Sequence, residues 1–186
     1  MVQRGAMPTV RWALVVTVLA LVLGAAGPAA AAQVESSSAP NGPSGLPLPR
    51  FVSLKSERVN VRSGPTKDND VNWVYTRTGL PVEIIAEYEN WRRIRDWEGS
   101  EGWVLHSLLS GRRTVLISAP AKAVDDFVPL HASADLQSAV TARLQAGVLA
   151  TVKRCGGNWC RVTGEHFDGW IEQERLWGVY PGETVE

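Results

Sequence analysis

Two cysteines and three histidines in 186 residues leave this chain short of the groups from which most catalytic and metal sites are built. His106, His131 and His166 stand apart in sequence, outside any H-E-x-x-H frame. Cys155, Cys160 and His166 would offer a metal only three ligands, at no standard zinc spacing. The carboxylate pairs Asp125-Asp126 and Asp68 with Asp70 fall in stretches that read as linker and loop, where solvated turns are expected. Without an activated nucleophile, a cleft carboxylate pair or a metal-bound water, no enzyme and no cofactor are expected. An excess of charge of one sign is missing too, since 19 basic residues face 19 acidic ones. No basic stripe points to nucleic acid, and no acidic block points to a cationic partner. Arg92, Arg93, Arg95, Arg112 and Arg113 form the one local concentration, read either as a site for an anionic ligand or as solvated strand and loop positions.

Arg4 and Arg11 precede an apolar run from Trp12 to Leu23, which gives way to Gly24, Gly27, Pro28 and an alanine tract. Residues 1–32 therefore read as a signal peptide with an A-x-A site at Ala30-Ala31-Ala32, leaving Gln33 as the first mature residue. The alternative is an uncleaved membrane anchor, which two glycines and a proline make a poor span. No cysteine follows the run, so a lipoprotein anchor is not indicated. An exported chain, periplasmic or secreted, is expected, touching a membrane only if the leader is retained. Residues 33–50 are rich in Ser, Pro and Gly and poor in core-forming side chains, and read as a flexible tether. The rest suits two small all-β domains, 51–118 and 127–186, joined by a linker at 119–126.

An aromatic frame that occurs twice supports the division. Gly79, Asn90-Trp91 and Gly102-Trp103 are answered by Gly147, Asn158-Trp159 and Gly169-Trp170, a repeat of about 68 residues. In the first copy Val59 and Val61 alternate with polar neighbours as a half-buried strand does, and Gly64-Pro65 breaks the strand into a charged loop. Strands follow at 71–75, with Trp73 and Tyr75 on one face, and at 81–87, 91–96 and 101–106. Five short strands joined by tight turns describe a small barrel.

The motifs Val59 to Pro65 (VNVRSGP), Asn90-Trp91 and Gly102 to Val104 (GWV) resemble the bacterial SH3 family. The second copy lacks the opening motif, with His131-Ala132-Ser133-Ala134 in its place, but carries CGGNWCRV at Cys155 to Val162 and GWI at Gly169 to Ile171. LWGVYPGE at Leu176 to Glu183 looks like the tail of exported proteins that carry such domains. The resemblance, over Leu54 to Glu183, implies an all-β chain of two SH3-like barrels in tandem. It also implies that Trp91, opening the strand after the third turn, lines a ligand groove.

Strand parity puts Trp91 and Ile94, three positions apart, on opposite faces, and Trp159 and Val162 repeat the relation. With Ile94 and Val162 inside, Trp91 and Trp159 are expected outside and exposed, either for a ligand or packed against the sister domain. Trp103 and Trp170 are expected in the core. Trp73, Tyr75 and the Arg62 to Asp70 loop would border the Trp91 groove, with Arg93 or Arg95 meeting a carboxylate. Cys155 and Cys160 flank a four-residue hairpin loop and are expected to form a disulfide. The function expected is non-catalytic binding in the cell envelope, to a peptidoglycan stem peptide or glycan or to an envelope protein. Its rivals are a structural or assembly role, in which the tryptophans are consumed between barrels, and a targeting or regulatory subunit of a cell-wall hydrolase.

Overall fold

A computed structural model describes residues 40–118 and 127–186. The leader at 1–32 and the linker at 119–126 lie outside the described residues. Among the described residues all the regular structure is β apart from two single-turn 3-10 segments, His106–Leu108 and Gln173–Arg175. The first sheet holds β1 (Arg50–Leu54), β2 (Val59–Arg62), β3 (Val71–Tyr75), β4 (Pro81–Tyr88), β5 (Trp91–Arg95), β6 (Glu101–Leu105) and β7 (Leu109–Ser110). Its spatial order is β3-β2-β6-β5-β4-β1-β7, antiparallel in every pairing. The second holds β8 (Thr114–Ile117), β9 (Phe127–His131), β10 (Val140–Gln145), β11 (Leu149–Gly156), β12 (Trp159–Thr163), β13 (Asp168–Glu172) and β14 (Leu176–Trp177), in the order β10-β9-β13-β12-β11-β8-β14. One barrel topology is thus used twice.

The alternation read from the sequence builds both interiors. Val59, Val61, Val82, Ile84, Ile94 and Val104 fill the first core. Val128, Leu130, Ala150, Val152, Val162 and Ile171 fill the second. The repeated glycines have two separate jobs. Gly79 and Gly147 close the turns into β4 and β11 at φ values of 79° and 83°, a left-handed backbone that other residues rarely adopt. Gly102 and Gly169 sit where the neighbouring strand crosses closely, so that an added Cβ would strike Val61 in the first barrel and the His131 carbonyl in the second. Pairing slips by one residue between Ile84 and Ala86 and between Val152 and Arg154, a bulge at the same place in both long strands.

Two expected boundaries move. Thr114 to Ile117, assigned by sequence to the first domain, pairs with β11 and β14 and belongs to the second barrel, so the junction lies at 111–113. The hydrophobicity of a TVLI run does not say which sheet it joins. The stretch 40–49, expected within the flexible tether, is instead folded. Asn41 bridges to Pro47, and Ser44 donates to the Glu87 carboxylate through its N–H and its hydroxyl, both at 2.8 Å. Composition marks a segment that cannot fill a core, yet polar bonds to a sequestered carboxylate hold this one. The Glu87 side chain is 1% exposed and also meets Arg50 at 2.6 Å and Arg92 at 3.1 Å. Burial pushes its carboxyl up, but the hydrogen bonds from Arg50 and Ser44 and the charge of Arg92 outweigh that and hold it at about 2, against an ordinary 4.5.

The barrels pack on each other mainly through side chains outside the repeated motif. Phe51 lies between Trp177 and Tyr180, with ring centroids 5.1 and 4.7 Å away. Leu116, Leu149 and Trp177 join the first barrel's core from the second. Thr114 donates to the Gly79 carbonyl at 2.6 Å, and the Tyr180 hydroxyl donates to Glu83 at 2.8 Å. The chain's end is fastened as well, since Glu183 takes two hydrogen bonds from Arg113 and Val185 exchanges backbone bonds with Cys155.

Candidate functional site

Parity places Trp91 on the outer side of β5, away from the first core, to which Ile94 belongs. The expectation that it is exposed does not hold, for the residue is only 7% accessible. Parity fixes which way a side chain leaves a strand but not what other segments fold over that face. Trp91 lines a groove of about 210 Å³. One wall is the outward row of β2 and the residue before it, Arg58, Asn60 and Arg62, and Lys67 enters from the loop that follows. Leu105, directly across the ladder from Trp91, and Leu108 of the 3-10 turn complete it.

Arg62 is fixed by donating to the Asn69 carbonyl at 2.6 Å, which also ties down the loop carrying Lys67. No carboxylate among the described residues pairs with Arg58, Arg62 or Lys67. Three cations around an indole floor, without a counter-charge, can hold an anion whose organic part rests on the ring. Of this lining, Arg62 and its loop, which carries Lys67, were singled out by sequence as neighbours of Trp91. Arg58 was missed, although the alternation that made Val59 and Val61 inward already put Arg58, Asn60 and Arg62 on one outward row.

The other expected groove residues are engaged elsewhere. Tyr75 is buried and donates to Asp96 at 2.7 Å, and burial followed by that bond raises its phenol above the ordinary range. Trp73 packs edge-on against it at 6.2 Å, and neither lines the Trp91 groove. Arg93 pairs with Glu101 at 2.8 Å. Arg95 makes two bonds to the buried Glu83 carboxylate, at 2.9 and 2.6 Å, and these raise its own pKa. Both guanidiniums therefore already have their carboxylates within the chain. Of the arginine concentration, Arg92 and Arg113 are likewise paired, with Glu87 and Glu183.

In the second barrel Trp159 is half-buried and stands edge-on to the ring of His131, centroids 5.5 Å apart. His131 occupies the register position of Arg62, since each pairs with the tryptophan of its Gly-Trp motif. Its ring nitrogen lies 3.4 Å from the Ser138 carbonyl, the counterpart of the Arg62 bond to Asn69. Trp103 and Trp170, expected in the core, are half-buried on the outer face, and Trp170 carries the Arg154 guanidinium 4.7 Å above its ring. Because Gly102 and Val104 face inward, the residue between them must face out. Cys155 and Cys160 form the expected disulfide.

The duplicated topology belongs to a known family. A family described as "Bacterial SH3 domain" matches residues 55–111 and 124–178, more than half of the chain. The protein is a member of the bacterial SH3 family, with two copies of the domain in tandem. No curated protein matches the chain. Among solved structures it is similar to NlpC2 from Trichomonas vaginalis, at 11% identity and a TM-score of 0.31, covering 69% of this chain and 48% of that one. It is also similar to NlpC1 from Trichomonas vaginalis, at 10% identity and a TM-score of 0.30, covering 73% and 48%. The chain spans about half the length of either.

Proposed function

We propose that this protein is an exported, non-catalytic binding protein of the cell envelope, whose first barrel takes a carboxylate-bearing segment of the cell wall. The observation that carries the reading is the Trp91 groove with Arg58, Arg62 and Lys67 around it and no acidic residue in its lining. A stem peptide supplies both parts of the match, a carboxylate for the cations and an aliphatic backbone for the indole. Membership of the bacterial SH3 family supports a binding role, and the disulfide suits an oxidising compartment beyond the cytoplasm. The assembly reading loses its main support, because the contact between barrels is made by Phe51, Leu116, Trp177 and Tyr180 rather than by Trp91 or Trp159.

The test spares the fold. Arg58 and Lys67 are both exposed, so Arg58→Glu with Lys67→Glu leaves thermal unfolding in place while reversing the groove's charge. Retention on isolated cell wall at low salt is expected to fall at least about tenfold, a loss of about 1.4 kcal/mol. Unchanged retention would sink the groove assignment. Retention lost from an envelope protein in pull-downs, but kept on the wall, would move the ligand to that protein.

A further inference from the structure

A second cavity, of about 350 Å³, opens where the two barrels meet, and neither the groove nor the barrel cores account for it. Six of its lining residues carry hydroxyls: Ser53, Thr78 and Ser110 from the first barrel, and Thr114, Thr151 and Thr163 from the second. Most of them spend their proton on a nearby carbonyl. Thr114 donates to Gly79 at 2.6 Å, Thr78 to Lys55 at 3.1 Å and Thr163 to Phe167 at 3.1 Å. A hydroxyl oriented in this way turns its remaining lone pairs outward as acceptors, which suits a ligand that itself brings hydroxyl donors.

The charge is one-sided. Lys55 and Arg112 both line the cavity, no Asp or Glu does, and neither cation has a carboxylate partner among the described residues. Arg112 is held over the cleft by donating to the Thr151 hydroxyl at 3.0 Å, a bond that joins the junction to the second barrel. Leu149 and Ala150 add a short apolar strip. Acceptors, two free cations and an apolar strip in one cleft at a domain junction are the complement of a sugar that carries an anionic group.

We propose that the inter-barrel cleft is a binding site for an anionic saccharide, with Arg112 and Lys55 taking the anion and the Thr78 and Thr163 hydroxyls accepting from the sugar. The site is separate from the Trp91 groove and stands or falls without it. The anion can be a carboxylate or a phosphate, so the full chain is titrated with glucuronate, glucose 6-phosphate, glucose and inorganic phosphate while backbone amide shifts are followed by NMR. Shifts clustered at Gly79, Thr151 and Gly164, with an anionic sugar binding at least about tenfold tighter than glucose, are the expected result. The stronger of the two anionic sugars identifies the anion. Arg112 is exposed, so Arg112→Gln folds as wild type and is expected to remove most of that tenfold preference. Equal binding of glucose, an equal response to inorganic phosphate alone (an adventitious ion only), shifts confined to the Trp91 groove, unaltered affinity in Arg112→Gln, or no response at all would each overturn the proposal. The same titration on the Arg58→Glu, Lys67→Glu variant is expected to match wild type, which separates a failure here from a failure of the wall-binding groove.

Discussion

The two barrels fasten the same hairpin by different chemistry. Glu87 faces Arg92 across the β4–β5 ladder, and Cys155 faces Cys160 across β11–β12, at corresponding places in the repeat. In the first barrel the pair is ionic, sealed by Ser44 and Arg50. In the second it is a disulfide. The outward row diverges in the same manner: Arg58, Asn60 and Arg62 flank one strand, while Phe127, Pro129 and His131 flank its counterpart, with Phe127 49% exposed. Inward positions keep their valines, isoleucines and leucines. Packing therefore constrains what both copies share, and the surfaces are free to take separate tasks, which is why the cationic groove belongs to the first barrel alone.

The comparison breaks most sharply at Glu87. Glu87→Ala strips the partner from Arg50 and Arg92 at a site whose carboxylate is 1% exposed, and losing one member of such a pair costs about 3 kcal/mol. Amide exchange across β4–β5 is expected to accelerate together with release of the 40–49 turn, while β11–β12 keeps its protection. Unaltered exchange in the first hairpin would show that Ser44, Arg50 and Arg92 hold the turn without it. The reciprocal experiment is reduction of Cys155–Cys160, whose small closed loop contributes about 2 kcal/mol in the chain-entropy model. Exchange in β11–β12 should then rise by about 30-fold, with β4–β5 unaffected. If both hairpins loosen equally, the barrels unfold as one cooperative unit and the two fasteners are not local devices.

Most of the fold was legible, because half-buried antiparallel strands write their alternation into the sequence. Val59-Val61, the β-branched run of β4 and the Gly-Trp motifs marked strands that the structure contains. β1, β7, β8 and β14 were not assigned, being short strands whose role depends on a partner distant in sequence. The site was legible only in part. Trp91 could be placed on the outer face, but its cover comes from a loop and a 3-10 turn that periodicity does not address. Arg93 and Arg95 drew attention as a cluster, yet their register opposite Glu101 and Glu83 consumes them. Charges are consumed or left free by cross-strand neighbours, and those are set by pairing rather than by proximity along the chain.

The smallest effect sharpens the comparison by acid. The Glu87 carboxyl is held at about 2 in the folded chain against an ordinary 4.5 once unfolded, so the folded state binds fewer protons between those values. Its contribution is therefore complete above about pH 5 and is lost as the pH falls from 4.5 toward 2. The Arg50 and Arg92 side chains keep 18% and 12% of their surface exposed, so solvent screens their charge and about 1 kcal/mol is expected to be lost by pH 3, less than the full shift would give. The β4–β5 hairpin should loosen over that window and the disulfide-closed hairpin should not. Replacing the ionic fastener by the covalent one, Glu87→Cys with Arg92→Cys, is expected to abolish the acid response of the first barrel and give it the redox response of the second. An acid transition that persists in that variant would place the titrating group elsewhere.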